Sequence, residues 1–328
     1  MSNKFLIIGT GAWGTALASV LLDNHQYVKM FGISQNQIED LKKGFNQEFF
    51  NNIKLKSPPQ EVSTNLKSLI EDVQFIVICV PSNQMENILK KIKPYYKPNM
   101  IIINTCKGLD QKTNNNYLKV ILNHIKNSKV ASLIGPSFAI DVINKVPTVV
   151  NVISSNKPTL LKIKKVFDNN YFKVVPIKDI EAASYLSALK NSLAIVCGLL
   201  NYADISSNYK YAIMAMGIKE INKFLLFKKL NPQVIFEYCG LGDILLTCND
   251  EKSRNFQFGK SIITKGLDKA ISENKNTIEG FKTIEVIYKL IKKNSNQFPL
   301  FTLAYQLITK KITTNEFITK LWLNIDKV

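Results

Sequence analysis

The chain has 328 residues, 46% of them hydrophobic, and 43 basic against 25 acidic side chains give it a formal net charge of +18. This length and composition are typical of a globular protein with two domains, each large enough to bury its own core. The lysines are spread over the whole sequence and form no recognisable nucleic-acid module, so we exclude nucleic acid as the expected partner. A positive field would instead raise the encounter rate with small anionic substrates.

The cysteines and the apolar runs indicate a cellular compartment. Five cysteines form an odd set without a CxxC pair, which argues against a disulfide framework and against a structural zinc site. We expect no apolar stretch to reach the roughly 18 residues that span a bilayer. The first apolar run continues into a glycine motif instead of a signal-peptide cleavage site. These features predict reduced thiols, no metal, no stable membrane insertion and a cytoplasmic location.

A glycine-rich motif follows the first predicted strand. Residues 4–8 form a short apolar run, Gly9-Thr10-Gly11-Ala12-Trp13-Gly14 is a tight turn, and residues 15–22 have helical spacing. A strand, a glycine turn and a helix in this order are the context in which a GxGxxG sequence binds a dinucleotide. The first glycine makes the turn, the second lets backbone N–H groups approach the pyrophosphate, and the third lets the helix pack on the strand. The helix dipole also favours the phosphate charge.

Apolar, strand-like runs alternate with amphipathic segments through the first half of the chain. The amphipathic segments include residues 83–92 and 116–125. This βαβ rhythm predicts an α/β fold with an N-terminal doubly wound, Rossmann-type parallel sheet. The predicted strands after the first are residues 27–31, 73–80, 100–104, 130–134, 148–153 and 172–175.

The pattern changes at Asp179, which is typical of an N-cap for a long helix through Leu200. The strand signature does not return with any strength after this point. We therefore predict a dinucleotide-binding domain over residues 1–178 and an all-helical substrate and catalytic domain over residues 179–328.

Lys190 is the candidate proton donor. A dehydrogenase needs a group that exchanges a proton with the substrate hydroxyl, but His25 falls in a predicted turn and His124 on an amphipathic helix. Lys190, by contrast, interrupts an apolar helical run. Burial there would lower its pKa, because desolvation disfavours the ammonium form, and would suit a general acid and base. The alternative is a lysine whose ammonium reaches solvent while Asn191 bonds to the backbone.

Three further polar segments are candidate ligand contacts. Asn104-Thr105-Cys106-Lys107-Gly108 and Gly135-Pro136-Ser137-Phe138-Ala139 each follow a predicted strand. Ligands of open α/β sheets bind at that end of the strands. Gly240-Leu241-Gly242-Asp243 is typical of a turn, in which Asp243 could cap the helix that carries Thr247, contact substrate, or do both.

Arg254 is the single arginine of the chain and lies in Ser253-Arg254-Asn255, whereas the other 42 basic side chains are lysines. Only a guanidinium presents a planar fork of donors that holds a phosphate or carboxylate through two parallel hydrogen bonds. We interpret Arg254 as a phosphate ligand. The alternative is a surface arginine without a role.

Taken in order, the motifs resemble those of the NAD(P)-dependent glycerol-3-phosphate dehydrogenases. The resemblance implies reduction of dihydroxyacetone phosphate to sn-glycerol 3-phosphate for phospholipid synthesis, with NADH or NADPH as cofactor and a small phosphate as substrate. It covers most of the chain and leaves open whether the protein is a homodimer. The matching segments are residues 9–18, Val80-Pro81-Ser82, Lys107-Gly108, residues 135–139, Leu189-Lys190-Asn191, residues 240–248, Ser253-Arg254-Asn255 and Glu279-Gly280.

The resemblance also implies a role for individual residues. Lys190 is similar to the family's general acid and base. Substrate contacts are implied for Lys107, Gly135, Ser137, Lys190 and Asp243, with Ser253, Arg254 and Asn255 at the phosphate end or bridging towards the cofactor. Dinucleotide contacts are implied for Gly9, Gly11, Ala12, Trp13, Gly14, Lys107, Ala139, Arg254 and Glu279.

Two departures from the family pattern leave questions open. Family members often carry an arginine after the second strand, suited to the 2′-phosphate of NADP, whereas this chain has Phe31-Gly32-Ile33-Ser34. The acidic residue that would indicate NAD is absent too, so NAD and NADP both remain candidates. The loop over residues 44–59 matches the family only loosely.

Two other functions remain alternatives. A reductase for another small phosphate or a 3-hydroxy acid would share the glycine loop and the lysine without needing the Ser253-Arg254-Asn255 segment. A redox sensor would bind dinucleotide without turnover.

Overall fold

The computed structural model describes residues 2–110, 112–274 and 278–328, and the chain divides into two compact units. The first unit comprises Met1–Cys106 and Tyr117–Ile180, and the second comprises Lys107–Asn116 and Glu181–Val328. The segment Lys107–Asn116 therefore groups with the second unit, although it follows a strand of the first in sequence. The predicted domain boundary between residues 178 and 179 stays a prediction.

The first unit contains an eight-stranded sheet with the order β3-β2-β1-β4-β5-β6-β7-β8. Neighbouring strands are parallel, except that β6 and β7 are antiparallel. The doubly wound, Rossmann-type fold is confirmed. The strands are β1 Lys4–Ile8, β2 Tyr27–Phe31, β3 Glu61–Ser63, β4 Phe75–Ile78, β5 Ile101–Asn104, β6 Lys129–Ile134, β7 Thr148–Ile153 and β8 Phe172–Ile177.

The sheet is buried on both faces, as a parallel sheet requires. Alternate residues of β1 point to opposite layers: Phe5 and Ile7 pack in one core cluster, and Leu6 and Ile8 pack in the other. The strand order reverses beside β1, which lies between β2 and β4. The carboxyl end of a strand at such a reversal is where open α/β sheets bind ligands, and the glycine loop begins there.

Helices connect the strands of the first unit. The predicted amphipathic segments 83–92 and 116–125 are helical over most of their length. The helices are α1 Ala12–Asp23, α2 Gln35–Lys42, α3 Gln47–Phe50, α4 Leu66–Ile70, α5 Met85–Ile92, α6 Tyr117–His124, α7 Ala139–Ile143 and α8 Lys157–Phe167.

The second half of the chain is helical, as predicted, and the described residues of the second unit supply no strand to the sheet. The long helix begins at Ile180, directly after Asp179. The helices in this half of the chain are α9 Ile180–Tyr202, α10 Ser207–Phe227, α11 Asp243–Asn249, α12 Arg254–Lys265, α13 Leu267–Glu273, α14 Glu279–Ile291, α15 Pro299–Ile308 and α16 Thr314–Trp322.

Helix α9 corrects one expectation from the sequence. It contains an 18-residue window with a mean hydropathy of 1.3, long and apolar enough to cross a membrane by length and composition. The expectation that no apolar stretch reaches this length was therefore wrong. In the structure, 89% of that window is buried by protein. A largely apolar helix that is covered in this way is typical of a protein core.

Two glycines allow the backbones of α9 and α12 to come into direct contact where the helices cross. A Cβ atom on Gly198 would lie 2.0 Å from the carbonyl oxygen of Phe256, and a Cβ atom on Gly259 would lie 2.0 Å from the carbonyl oxygen of Ile195. Real Cβ atoms do not approach backbone oxygens this closely, so each position needs glycine or a displaced helix. The crossing joins the helix that carries Lys190 to the helix that carries Arg254.

We expect Gly198→Ala to destabilise the protein by about 1–3 kcal/mol, the usual result of overpacking a core. Intrinsic helix propensity alone predicts the opposite sign, because alanine favours helix over glycine by about 1 kcal/mol. Urea denaturation of the variant measures the effect. The control is Ala215→Gly at an exposed position of α10. This substitution should lower the free energy of unfolding only by the difference in helix propensity, about 1 kcal/mol. A stabilised Gly198→Ala variant would contradict the close helix contact.

Candidate functional site

The glycine loop of the first unit has the geometry of a pyrophosphate cradle. Gly9 has a positive φ of 118°, and a Cβ atom on Gly14 would lie 2.1 Å from the carbonyl oxygen of Gly9. A Cβ atom on Gly11, in contrast, would meet no atom within 4 Å. Gly11 is the N-cap of α1 and offers no side-chain cap, so the first N–H groups of the helix keep their hydrogen-bonding capacity. The open side and the donor set fit the phosphates of a dinucleotide.

The second predicted segment of the first unit follows β6. A Cβ atom on Gly135 would lie 2.7 Å from the Cα atom of Val150, so glycine allows the chain to pass close to β7. The hydroxyl of Ser137 donates to the carbonyl oxygen of Gly135 over 3.1 Å. Ala139 is the first residue of α7. Trp13 lies in the first turn of α1 and packs partly buried against the core.

Lys190 lies at the centre of a buried polar cluster in the second unit. Its side chain is 1% exposed and forms an ion pair with Oδ2 of Asp243. Its Nζ atom also donates to the hydroxyl of Thr247 over 3.3 Å. The ammonium therefore does not reach solvent. The side chain of Asn191 donates to Glu279 instead of a backbone carbonyl, so the alternative interpretation of this pair is wrong.

Asp243 contributes its carboxylate to the cluster and does not cap a helix. It is the first residue of α11, where the N-cap position belongs to Gly242. A π-helical turn over Tyr238–Gly242, with a kink at Gly240, leads directly into α11, and the start of α11 has no side-chain cap hydrogen bond. Its Oδ1 atom accepts from Thr247 over 3.3 Å, and Oδ2 lies 3.6 Å from Nζ of Lys107. The predicted capping role was wrong, and two lysine ammonium groups face one carboxylate.

The electrostatics of the cluster favour proton exchange near neutral pH. Burial lowers the pKa of Lys190 to about 8. The negative charge of Asp243 opposes this shift, whereas the positive charge of Lys107 adds to it. An ammonium group with this pKa can lose and regain its proton at physiological pH, which ordinary lysines cannot do.

Glu279 forms the border of the cluster. Burial raises the pKa of the Glu279 carboxyl, and the positive charges of Arg254, Lys107 and Lys190 partly oppose this increase. The side-chain amide of Asn191 donates to its Oε2 atom over 3.2 Å. Within the described ranges, no three His, Cys, Asp or Glu side chains are grouped to hold a metal ion.

Arg254 differs from its two neighbours in the predicted phosphate segment. The hydroxyl of Ser253 caps α12 by accepting from the N–H of Phe256 over 3.3 Å. The side-chain oxygen of Asn255 accepts from the N–H of Gly280 over 3.0 Å. Arg254 is exposed at the first position of α12. Ser253 and Asn255 thus hold the start of this helix, and Arg254 presents its side chain to solvent.

The structure brings Lys107, Lys190, Asp243 and Glu279 together in the second unit, with Arg254 close enough to affect Glu279. Thr247 completes the cluster, and the only sequence signal for its role is its position four residues after Asp243. That i, i+4 spacing places the two side chains on one helix face. Gly135, Ser137, Ala139 and the glycine loop belong to the first unit.

The strand order and the glycine loop define a Rossmann-type dinucleotide-binding protein that also has a helical unit. Sequence comparison gives a narrower assignment. The profile of the NAD-dependent glycerol-3-phosphate dehydrogenase N-terminus matches residues 4–160, and the profile of the C-terminus of the same family matches residues 179–319. The chain belongs to the NAD-dependent glycerol-3-phosphate dehydrogenase family.

Relatives match over nearly the whole chain. A protein of Malacoplasma penetrans named glycerol-3-phosphate dehydrogenase (NAD(P)+) is 37% identical, over 98% of this chain and 96% of its own length. A protein of Mesoplasma florum with the same name is 32% identical, over 95% of each chain. The crystal structure of glycerol-3-phosphate dehydrogenase from Coxiella burnetii superposes with a TM-score of 0.89 over 98% of this chain and 99% of its own. At 24% identity, this last likeness shows the fold alone.

Proposed function

We propose that this protein reduces dihydroxyacetone phosphate to sn-glycerol 3-phosphate with NADH or NADPH in the cytoplasm, and so supplies glycerophospholipid synthesis. The observation that carries the proposal is the buried lysine of α9, whose pKa burial lowers to about 8 and whose Nζ atom is held by Asp243 and Thr247. A carbonyl reduction needs such a proton donor. The names of the relatives supply the substrate.

The proton is carried by Lys190. Its ammonium donates a proton to the carbonyl oxygen of the substrate, and the resulting amine takes the proton back in the reverse reaction. Asp243 holds the ammonium in one orientation, and the positive charge of Lys107 increases its acidity. Both lysines also stabilise negative charge that develops on the substrate oxygen. When bound, the nicotinamide supplies the hydride.

The remaining family residues bind the two ligands. Residues 1–178 form the dinucleotide-binding domain, with the pyrophosphate at the glycine loop, and residues 179–328 form the substrate and catalytic domain, although each domain also contributes contacts to the other ligand. We assign the substrate phosphate to the Arg254 guanidinium, supported by its exposure and its planar fork of donors. Further substrate contacts are Lys107, Gly135, Ser137, Ser253 and Asn255, and further dinucleotide contacts are Trp13, Lys107, Ala139, Arg254 and Glu279.

A substrate panel tests the proposal. The purified protein is mixed with NADH or NADPH, and the loss of reduced-cofactor absorbance is followed after addition of dihydroxyacetone phosphate, glyceraldehyde 3-phosphate or a 3-keto acid. We expect rapid turnover with dihydroxyacetone phosphate and at most slow turnover with the others. Preference for another substrate identifies a different reductase. Cofactor binding without turnover of any substrate identifies a redox sensor.

We expect NADH to be used at least as well as NADPH. Ile33 follows β2, is 89% exposed and offers no charge to a 2′-phosphate. A charge-assisted hydrogen bond at that position contributes roughly 1.5–3 kcal/mol. The ratio of kcat/KM values for the two cofactors measures the preference, and Ile33→Arg should shift it towards NADPH. A wild-type preference for NADPH above about a hundredfold, equivalent to about 2.7 kcal/mol, would contradict this expectation. It would mean that a lysine binds the 2′-phosphate.

A further inference from the structure

Asn46 contacts the phosphate-binding loop from outside the glycine motif. It lies in the loop after α2, directly before α3, and is 1% exposed. Its side-chain nitrogen donates to the carbonyl oxygen of Thr10 over 2.8 Å and to the hydroxyl of Thr15 over 2.7 Å. The carbonyl oxygen of Thr10 can only accept, which fixes the orientation of the amide. Asparagine in this position usually caps its own helix, but this side chain makes no cap bond to α3.

The contact determines the direction of one peptide group. Thr10 stands between Gly9 and Gly11, and in a trans peptide the C=O of one residue and the N–H of the next point in opposite directions. Because Asn46 holds the carbonyl of Thr10 on its own side, the N–H of Gly11 points away from Asn46. This N–H has no hydrogen-bond partner in the part of the chain that the structure describes.

The side chain of Thr10 is held as well. Its hydroxyl donates to Oε1 of Gln37 in α2, and the amide of Gln37 donates to Glu48 over 2.7 Å. The hydroxyl of Thr15 also contacts the carbonyl of Thr10 over 3.4 Å. The backbone and the side chain of Thr10 are therefore both anchored by buried or partly buried polar groups. Because both the backbone and the side chain of Thr10 are already held, the loop loses little conformational freedom when it binds an anion.

We infer that Asn46 is a positioning residue for dinucleotide binding, which orients the Thr10–Gly11 peptide so that the N–H of Gly11 donates to the pyrophosphate. The inference rests on the proposed function only in taking a dinucleotide as the ligand. Asn46 does not contact the ligand itself; it acts through the carbonyl of Thr10.

Binding titrations of two variants test this role. Asn46→Asp keeps the shape of the side chain but sets a carboxylate oxygen against the carbonyl of Thr10, and Asn46→Ala removes the contact. We expect the Kd for NADH to rise about tenfold or more, equivalent to 1.4 kcal/mol, and by the same factor for ADP-ribose, which keeps the pyrophosphate and lacks nicotinamide. The turnover number at saturating NADH should stay within threefold of wild type. The control is Asn52→Asp at an exposed position just after α3.

Three results would overturn the inference: a Kd for NADH within twofold of wild type in folded Asn46 variants, a loss of turnover at saturating NADH with unchanged Kd, or no dinucleotide binding by the wild type. If neither Asn46 variant folds, Thr15→Val removes one partner of the amide with little change of shape, and the Kd should rise at least threefold. The titrations need no substrate. A wild type that binds NADH but does not reduce dihydroxyacetone phosphate would end the proposed function and leave the positioning role testable.

Discussion

We expect Lys190→Ala to lower the turnover number for dihydroxyacetone phosphate by about 10²- to 10⁴-fold, the usual contribution of a general acid. The loss can be larger, because the same ammonium group also stabilises the developing negative charge on the substrate oxygen. Dinucleotide binding should survive, since the glycine loop belongs to the first unit. Titration with NADH and steady-state kinetics on the same variant separate the two effects.

Two companion variants sharpen the result. Lys190→Met keeps the length of the side chain and should lose turnover to a similar extent, so that a cavity alone does not explain the loss. Lys219→Ala removes an exposed lysine of α10 and should behave as wild type. Turnover of Lys190→Ala within about threefold of wild type would remove Lys190 from the mechanism. Lys107, whose Nζ atom lies 3.6 Å from the same carboxylate, would then be the next candidate.

We expect Arg254→Lys to weaken kcat/KM for dihydroxyacetone phosphate by roughly 1.5–3 kcal/mol, or about 10- to 150-fold. The substitution keeps the charge but loses the planar fork of donors. Thermal stability should change little, because Arg254 is exposed and the start of α12 is held by Ser253 and Asn255. The control is Lys265→Arg at the other end of the same helix.

Chemical rescue adds a second measurement at this position. Addition of guanidinium to Arg254→Ala should restore part of the activity, whereas addition of an alkylammonium ion should restore less. If Arg254→Lys keeps the wild-type turnover number and KM for the substrate, the single arginine of the chain is a surface residue without a role in phosphate binding.

The sequence predicted most of the sheet because its strands are continuous apolar runs. It missed β3, since a strand of three residues in which Val62 alone is buried has no such run. It also gave no sign that β6 and β7 are antiparallel, because that direction depends on how the chain returns to the sheet. The segment Lys107–Asn116 was assigned to the first domain by position, and only tertiary contacts group it with the second unit.

The centre of the candidate site was predictable for a different reason. A lysine in an apolar helix must find a partner, and Asp243 was the acidic residue of a glycine-rich motif. The details were not predictable. Thr247 joins the cluster through the helical path of α11, and Asn46 reaches Thr10 across 36 residues of sequence. Contacts of this kind depend on tertiary packing, which local patterns do not contain.

The pH dependence of the reaction in both directions tests most directly whether Lys190 carries the proton. Reduction of dihydroxyacetone phosphate needs the ammonium form, so its turnover number should fall as the pH rises through about 8. Oxidation of sn-glycerol 3-phosphate needs the amine, so its turnover number should rise through the same pH. Asp243→Asn should move both transitions to lower pH, because the charge of Asp243 raises the pKa of Lys190. Profiles that change in the same direction, or that are flat between about pH 7 and pH 9, would contradict proton transfer by Lys190.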